Sequence, residues 1–304
     1  MTGDEREPHS AAFFGPERDF WWNVDHLELI ASRRRLGGVR SVLDVGCGVG
    51  HWGTLLAAVL SPEATIVGVD REEEWVAEAT RRAAALGLAK RCCYRHARAQ
   101  ELPFDDATFD LVTCQTVLIH VPDPGAVIRE MLRVTKPGGQ VIAAEPNNRA
   151  SLLIGDSRDA EPDVEQFVDI VRFYLTCERG KIALGEGNDS VGDLVPGLFA
   201  EQGLVDVATF VSDKTNVVVA PYATDQQQAL KAYAAAGVEA GTVGWSREEA
   251  HRLYTAGGGE DADFGPAWER RLSEARASLA AMERGELHTA GGTIHYLVAG
   301  RRPA

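Results

Sequence analysis

The sequence predicts an α/β protein built on a parallel, doubly wound sheet. Three observations carry that prediction. Short apolar runs suited to buried strands recur at Ser41 to Val45, Thr65 to Val69, Cys92 to Ala97, Phe109 to Gln115 and Gln140 to Ala144. Helix-compatible stretches separate them, so strand and helix alternate. The first run closes on three glycines at every second position, Gly46, Gly48 and Gly50, and the second closes on Asp70.

Taken in order, residues up to about Ala12 read as disordered. Phe13, Phe14, Phe20, Trp21 and Trp22 then concentrate aromatic surface in a short stretch. Leu27, Ile30, Ala31 and Arg34 fall at helical spacing, which predicts a helix laid across the ligand-binding end of the sheet. Core filling is the competing role for these aromatics. Strand, glycine turn and the helix from His51 to Leu60 open a nucleotide-binding βαβ unit. Glycine suits such a turn because it takes φ > 0 and lets another group approach the backbone. Asp70 ends the second strand, where a carboxylate accepts hydrogen bonds from ribose hydroxyls. Its plainer role is to cap the helix beginning at Glu72.

In that helix Trp75, Ala79, Ala83 and Leu86 form the buried stripe, and Gly87 stops it. Cys92 and Cys93, adjacent in the third strand, point to opposite faces. A turn at Asp105-Asp106 leads to the fourth strand. Pro122-Asp123-Pro124 opens a helix with Val127, Ile128, Met131 and Leu132 inward. Lys136-Pro137-Gly138-Gly139 reads as a tight turn, and the fifth strand ends at Glu145. Val164, Phe167, Val168, Val171, Tyr174 and Leu175 keep helical spacing. A helix over 193–202 and a sixth strand over 204–211 follow, with Pro196 tolerated in the helix's first turn. Residues from about 220 to 290 look helical. Ser246 and Glu249 have capping-box spacing, and Phe264, Trp268, Leu272, Ala275, Leu279 and Met282 form an apolar stripe. Thr293 to Val298 is the final strand.

Composition narrows the functions. The chain has 304 residues and a formal net charge of −14, which disfavours gripping phosphate backbones and so disfavours nucleic acid as a partner. Arg33-Arg34-Arg35 is the one dense basic cluster near the motifs, and it reads as a solvated helix face. Five cysteines without C-x-x-C spacing argue against a disulfide framework and a zinc site. A reducing cytoplasm fits them. Met1 to Ser10 is polar, giving no secretory signal, and no apolar run reaches membrane-spanning length.

Gly48-x-Gly50-x-x-Gly53 matches the dinucleotide fingerprint, so a nicotinamide-dependent oxidoreductase is one reading. Asp44, two residues before the first glycine, changes the motif to D-x-G-x-G-x-G. That turn is followed by LPF-x-D-x-x-FD-x-V, then VL-x-HVPDP, then V-x-KPGG. The ordered set, over roughly residues 40 to 146, resembles the class I S-adenosylmethionine-dependent methyltransferases. The nearest branch holds the ubiquinone and menaquinone C-methyltransferases and many small-molecule methyltransferases.

The resemblance implies a Rossmann-like seven-stranded sheet, order 3-2-1-4-5-7-6, last strand antiparallel, with helical cap insertions. It implies S-adenosylmethionine as cofactor and a small-molecule methyl acceptor as substrate. Cofactor contacts fall on Asp44, Gly46, Cys47, Gly48 and Val49 at the turn, Asp70 and Arg71 at the ribose, Arg98 and Ala99 beside adenine, and Gln115 under the cofactor. Arg98 departs from the Asp or Asn common at its position, and its side chain cannot accept a hydrogen bond from the adenine amino group.

Methyl transfer from a sulfonium is an in-line displacement, so binding and orientation dominate and no catalytic dyad is required. His120 is the candidate base and Glu145 a weaker one; a structural His at that turn competes. Trp21, Trp22, Asn147 and Tyr174 are candidate acceptor contacts, with Arg172 and Arg179 behind them. The expected organisation is an N-terminal aromatic segment and helix (1–40), a cofactor-binding core (41–215) including a helical segment (147–188), a helical cap insertion (216–290) and the final core strand (291–304). Membrane association is not expected, a homodimer is left open, and a cofactor-binding protein without transfer activity is the alternative to an enzyme.

Overall fold

The computed structural model describes residues 18, 20–160 and 163–304. The expectations for residues 1–12 and for Phe13 and Phe14 lie outside them. In chain order the elements are α1 (Val24–Arg33), β1 (Ser41–Val45), α2 (His51–Val59), β2 (Thr65–Asp70), α3 (Glu73–Ala85), β3 (Cys92–His96), β4 (Phe109–Gln115), α4 (Pro124–Val134) and β5 (Thr135–Asn147). There follow α5 (Asn148–Ser151), α6 (Val164–Ala183), α7 (Val195–Glu201), β6 (Val205–Val211), α8 (Asp225–Ala240), α9 (Arg247–Ala256), α10 (Asp261–Glu283) and β7 (Ile294–Arg301).

The seven strands form one sheet in the order β3-β2-β1-β4-β5-β7-β6, as expected. β1 to β5 pair in parallel, and β7 runs antiparallel to both β5 and β6. The central strands are buried on both faces, so they read as continuous apolar runs rather than alternating ones. One face packs Val127, Ile128 and Met131 of α4 and Phe199 of α7 against Leu43, Val112 and Val141. The other packs Leu27 and Ile30 of α1 and Trp52 and Leu56 of α2 against Val42, Leu111 and Ile142.

Five local expectations are corrected. First, α1 lies on the sheet face beside α2, not across the ligand end. Its far end reaches the opposite edge, where Arg34 Nε donates to Gln140 Oε1 (3.0 Å) and the guanidinium meets Asp206 at 3.3 Å. Second, Arg34 is therefore buried rather than part of a solvated basic face. Third, Leu86 is 57% exposed, because the helix stops one residue earlier and Leu88 turns back onto the core instead.

Fourth, residues 136–139 do not form a separate turn. They lie within β5 as an irregularity where the β4–β5 register slips between Phe109 and Leu111. Lys136 Nζ pins that site to Asp110 Oδ1 at 2.7 Å. The strand then continues past Glu145 to Asn147. Fifth, α6 exists, but most of its apolar residues at helical spacing are not its buried ones: Val164, Phe167, Val168 and Leu175 are exposed. Phe173, Cys177, Glu178, Gly180 and Lys181 are the buried residues. The reason is close helix packing. A Cβ on Gly180 would lie 1.7 Å from the Leu253 carbonyl oxygen of α9, and one on Gly257 would lie 1.9 Å from the Thr176 carbonyl oxygen of α6. Glycine is required where two backbones approach so closely.

Between β6 and β7 the chain forms α8, α9 and α10. The Ser246 hydroxyl accepts from Glu249 N (3.1 Å) at the start of α9. Thr224 and Gln227 complete a capping box on α8. Phe264, Trp268 and Leu272 of the expected stripe pack with Phe173, Tyr254 and Trp245 in a core of their own.

Candidate active site at the carboxyl edge of the sheet

The carboxyl ends of β1, β2 and β4 open into a cavity of ≈ 480 Å³. Gly46, Cys47 and Gly48 form one wall. Gly46 has φ +67, and a Cβ there would sit 2.4 Å from Val117 Cγ2, so this turn can pass beside the loop after β4 only as glycine. Asp70 fastens the turn: its Oδ2 accepts from Gly48 N (2.8 Å) and its Oδ1 from Glu72 N (3.0 Å). Asp70 does not cap α3, whose N-cap is Glu72 without a side-chain cap bond; it ties the turn to the start of that helix. Each carboxylate oxygen keeps a further lone pair for a ligand hydroxyl. Burial raises the Asp70 pKa above its ordinary value, against the pull of the two amides.

Arg71, Arg98, Ala99 and Gln115 also line this cavity. Asp44 and Val49 do not; both are buried behind the turn. Asp44 is fully buried with neither oxygen hydrogen-bonded by another side chain or turn amide. Burial, then the charge of Asp70, push its pKa up to about 8, with the Gly53 backbone pulling it down. His51 and Trp75 line the cavity without having been singled out for it. Burial and the neighbouring Arg82 and Arg18 lower the His51 pKa to about 3. The roof comes from Lys181 on α6, Glu186 just after it, and Glu249, Arg252 and Leu253 on α9. The Arg252 guanidinium grips Glu186 at 2.7 and 2.8 Å. No local motif marks these roof residues, because their placement depends on the Gly180–Gly257 helix contact.

A second cavity of ≈ 350 Å³ adjoins the first. Trp21, Tyr174, Trp245, Ile119 and Leu152 supply apolar wall, with His295, Arg149 and Glu178 among the polar groups. The Trp21 ring lies 5.2 Å from His295, and Tyr174 lies 5.6 Å from Trp245. The two cavities share Arg18, Thr116 and His120. An Arg18 guanidinium nitrogen donates to Thr116 Oγ1 at 3.0 Å.

Of the acceptor contacts expected from the sequence, Trp21 and Tyr174 line the second cavity and the others do not. Trp22 is core, 5.4 Å from the Trp52 ring. Asn147 caps α5, accepting from Ala150 N and donating to Asp193; Pro146 and Asn148 beside it face the cavity instead. Arg172 pairs with Asp169, and Arg179 donates to the Gly257 carbonyl. His120 ends a short 3-10 turn, Leu118–His120. Glu145 lines neither cavity. Its Oε1 accepts from Val117 N (3.0 Å) and Leu118 N (2.9 Å), so it holds the turn that carries His120. Burial pushes its pKa up to about 7 against those amides. A carboxylate committed in this way is a positioning group, which corrects its reading as a base.

Residues 39–203, just over half of the chain, match the family described as "Methyltransferase domain". The chain belongs to that family. The chain is similar to the demethylmenaquinone methyltransferase of Bacillus cytotoxicus, 44% identical over 103 residues, covering 34% of this chain and 43% of the relative. The corresponding Bacillus cereus enzyme is 43% identical over the same span. The matched span is thus less than half the length of these curated relatives. Among solved structures, a candidate methyltransferase from Bacillus halodurans aligns with TM-score 0.51 at 19% identity, covering 93% of this chain and 99% of that one, which establishes likeness of fold. The methyltransferase sheet also departs from the dinucleotide-binding order 3-2-1-4-5-6, because β7 inserts antiparallel between β5 and β6. Among the described residues, no helix is long and apolar enough to cross a membrane.

Proposed function

We propose that this protein transfers a methyl group from S-adenosylmethionine to a small-molecule acceptor and releases S-adenosylhomocysteine. The observation that carries this reading is the junction of the two cavities at Arg18, Thr116 and His120. A donor in one cavity and an acceptor in the other meet there in line, and in-line approach is the main requirement of a displacement at methyl carbon.

The donor set of the larger cavity fits the cofactor. Asp70 offers lone pairs to ribose hydroxyls while its amide bonds keep it fixed. Gly46 to Gly48 bring bare backbone against the methionine part, and Arg98 and Ala99 flank the adenine end. Gln115 lies beneath. Asp44 lies behind the turn, and Arg71 stands at the ribose side. The bound cofactor supplies the reactive methyl and its leaving group. The chain supplies orientation and exclusion of water through Arg18 and Trp21, which precede α1, and through Trp245 and the α9 residues Glu249, Arg252 and Leu253 of the helical cap (216–290), set against the core (41–215 and 291–304). His120 is placed to take a proton from an ionisable acceptor as the methyl arrives. The acidic net charge and the largely apolar acceptor walls support a small molecule rather than nucleic acid, and a cytoplasmic setting fits the free thiols.

The test is a titration with S-adenosylmethionine and with NAD, followed by turnover against a panel of phenols and amines. S-adenosylmethionine is expected to bind and NAD not to. His120→Ala is expected to lower kcat by roughly 10²–10⁴, with cofactor affinity kept and the loss shrinking at high pH. A folded variant with wild-type kcat across pH removes His120 as base. Binding of NAD alone overturns the whole reading.

A further inference from the structure

Arg18 stands where the two cavities meet and lines both. Two contacts aim its guanidinium at the junction. A terminal nitrogen donates to Thr116 Oγ1 at 3.0 Å, and the group lies 4.8 Å from the centre of the Trp21 ring. Thr116 also lines both cavities, and Trp21 lines the smaller. The Arg18 charge is felt on either side. After burial and Arg82, it helps lower His51 in the larger cavity to about 3. In the smaller cavity burial lowers His295 to about 4, against the Thr293 backbone and with the Arg18 charge. The other charges in these walls are largely committed in pairs. Arg149 meets Glu178, Lys181 meets Asp189, Arg252 meets Glu186 and Arg71 meets Glu72. Asp70 is held by two amides, Arg98 is placed at the adenine end, and Glu249 lies in the roof.

A sulfonium whose methyl points at this junction brings a second positive charge beside the guanidinium. Like charges repel, most strongly where water is excluded. An anion between them satisfies both. Trp21, Tyr174 and Trp245 present ring surface in the smaller cavity, and ≈ 350 Å³ suits a single ring. Tyr174 is itself immobilised: Arg271 stacks on its ring at 4.6 Å and donates to its hydroxyl at 2.9 Å. Resting on the function proposed above, we propose that the acceptor is a phenol that reacts as its phenolate, with Arg18 as the catalytic residue that receives the oxyanion. The hydroxyl proton leaves first, to His120. A lone pair of the oxyanion then forms the new C–O bond as the C–S bond breaks, and the pair of that bond stays on sulfur. The ether and the thioether that result are both uncharged, so the guanidinium holds the product less firmly than the phenolate.

The probe is 4-nitrophenol, whose ionisation shows as a visible absorption band. It is titrated across pH with the full-length protein holding S-adenosylhomocysteine, so that no transfer occurs. Bound to the wild type, its ionisation midpoint should fall about one pH unit or more below that of the free phenol, the effect of an opposite charge in contact. Arg18→Met should abolish that fall while S-adenosylhomocysteine affinity stays unchanged. Arg18→Lys, which keeps the charge, should keep a lowered midpoint. His120→Ala should keep it too, because an equilibrium midpoint does not depend on which group takes the proton. Should Arg18→Met fail to fold, Arg18→Gln removes the charge, keeps a donor for Thr116 and must give the same loss. Failure of 4-nitrophenol to bind the wild type, a midpoint equal to that of the free phenol, or a lowered midpoint that survives Arg18→Met or Arg18→Gln overturns the proposal. If Arg18→Met weakens S-adenosylhomocysteine instead, the guanidinium serves the cofactor and the proposal falls. Failure of S-adenosylhomocysteine to bind the wild type overturns the cofactor reading, and the 4-nitrophenol titration without it still decides the role of Arg18.

Discussion

The two cavities are walled by different kinds of structure. Around the larger one, backbone does most of the work on the sheet side: Gly46 to Gly48 present bare chain, and Asp70 is held by two amides. Around the smaller one, the work falls to side chains from distant stretches, with Trp21, Tyr174 and Trp245 far apart in sequence. A backbone wall fixes a ligand common to many proteins and tolerates little change. A side-chain wall can be rebuilt residue by residue without disturbing the sheet. The same division separates the two cores, since Phe173, Trp268 and their neighbours pack apart from the residues that flank the sheet.

Trp268→Ala should break that separation most severely. Trp268 is 1% exposed at the centre of the cap. Removing so large a buried ring should cost about 3–5 kcal/mol. Calorimetric melting should show the loss, and acceptor turnover should fall with it, while S-adenosylmethionine affinity falls less, because the sheet-side wall is untouched and only the roof from α6 and α9 loosens. Equal losses of both functions would mean that the cap and the sheet edge act as one unit.

Asp70→Ala is the complementary change. It should weaken S-adenosylmethionine by roughly 1.5–3 kcal/mol, read by isothermal titration. Unchanged cofactor affinity would remove Asp70 from the site.

A further effect is a slope with pH. The Asp44 pKa is raised from 3.8 to about 8 in the fold, so the native state holds its proton where the unfolded chain has released it. That stability is fully present below the unfolded value and is lost as pH rises through the folded one. Asp44→Asn should therefore gain on the wild type progressively between about pH 4 and 8 in thermal melts. A constant difference over that window would contradict a protonated carboxyl beneath the glycine turn. Asp110, lowered to about 2 by Lys136 and the Arg40 and Ser41 groups against the opposing effect of burial, acts in the other direction and at lower pH.

The same contrast explains what the sequence could tell. The sheet-side wall was legible because its parts are local: a strand, a turn whose geometry demands glycine, and an acid ending the next strand. The strand order followed from the resemblance those motifs carry. The cap wall was less legible. Trp245 and Leu253 reach the cavities through the close contact of α6 and α9, and helical spacing on α6 did not single out the residues that are buried there. Periodicity reports that a helix has an apolar side, but glycines at a helix crossing can set which side meets its neighbour. Trp21 and Trp22 illustrate the limit within one dipeptide, since one lines a cavity and the other fills the core. Glu145 illustrates another: its place at a strand end suggested chemistry, and its actual partners are two backbone amides.

The central claim is that the cofactor's reacting end faces the place where the two cavities meet. A crystal structure of the protein with S-adenosylhomocysteine measures this directly. The account predicts the ribose on Asp70 and the sulfur turned toward Thr116 and His120, with open space beyond it leading to Trp21 and Tyr174. A sulfur turned away from that junction, toward Arg71 and the outer surface, would contradict it.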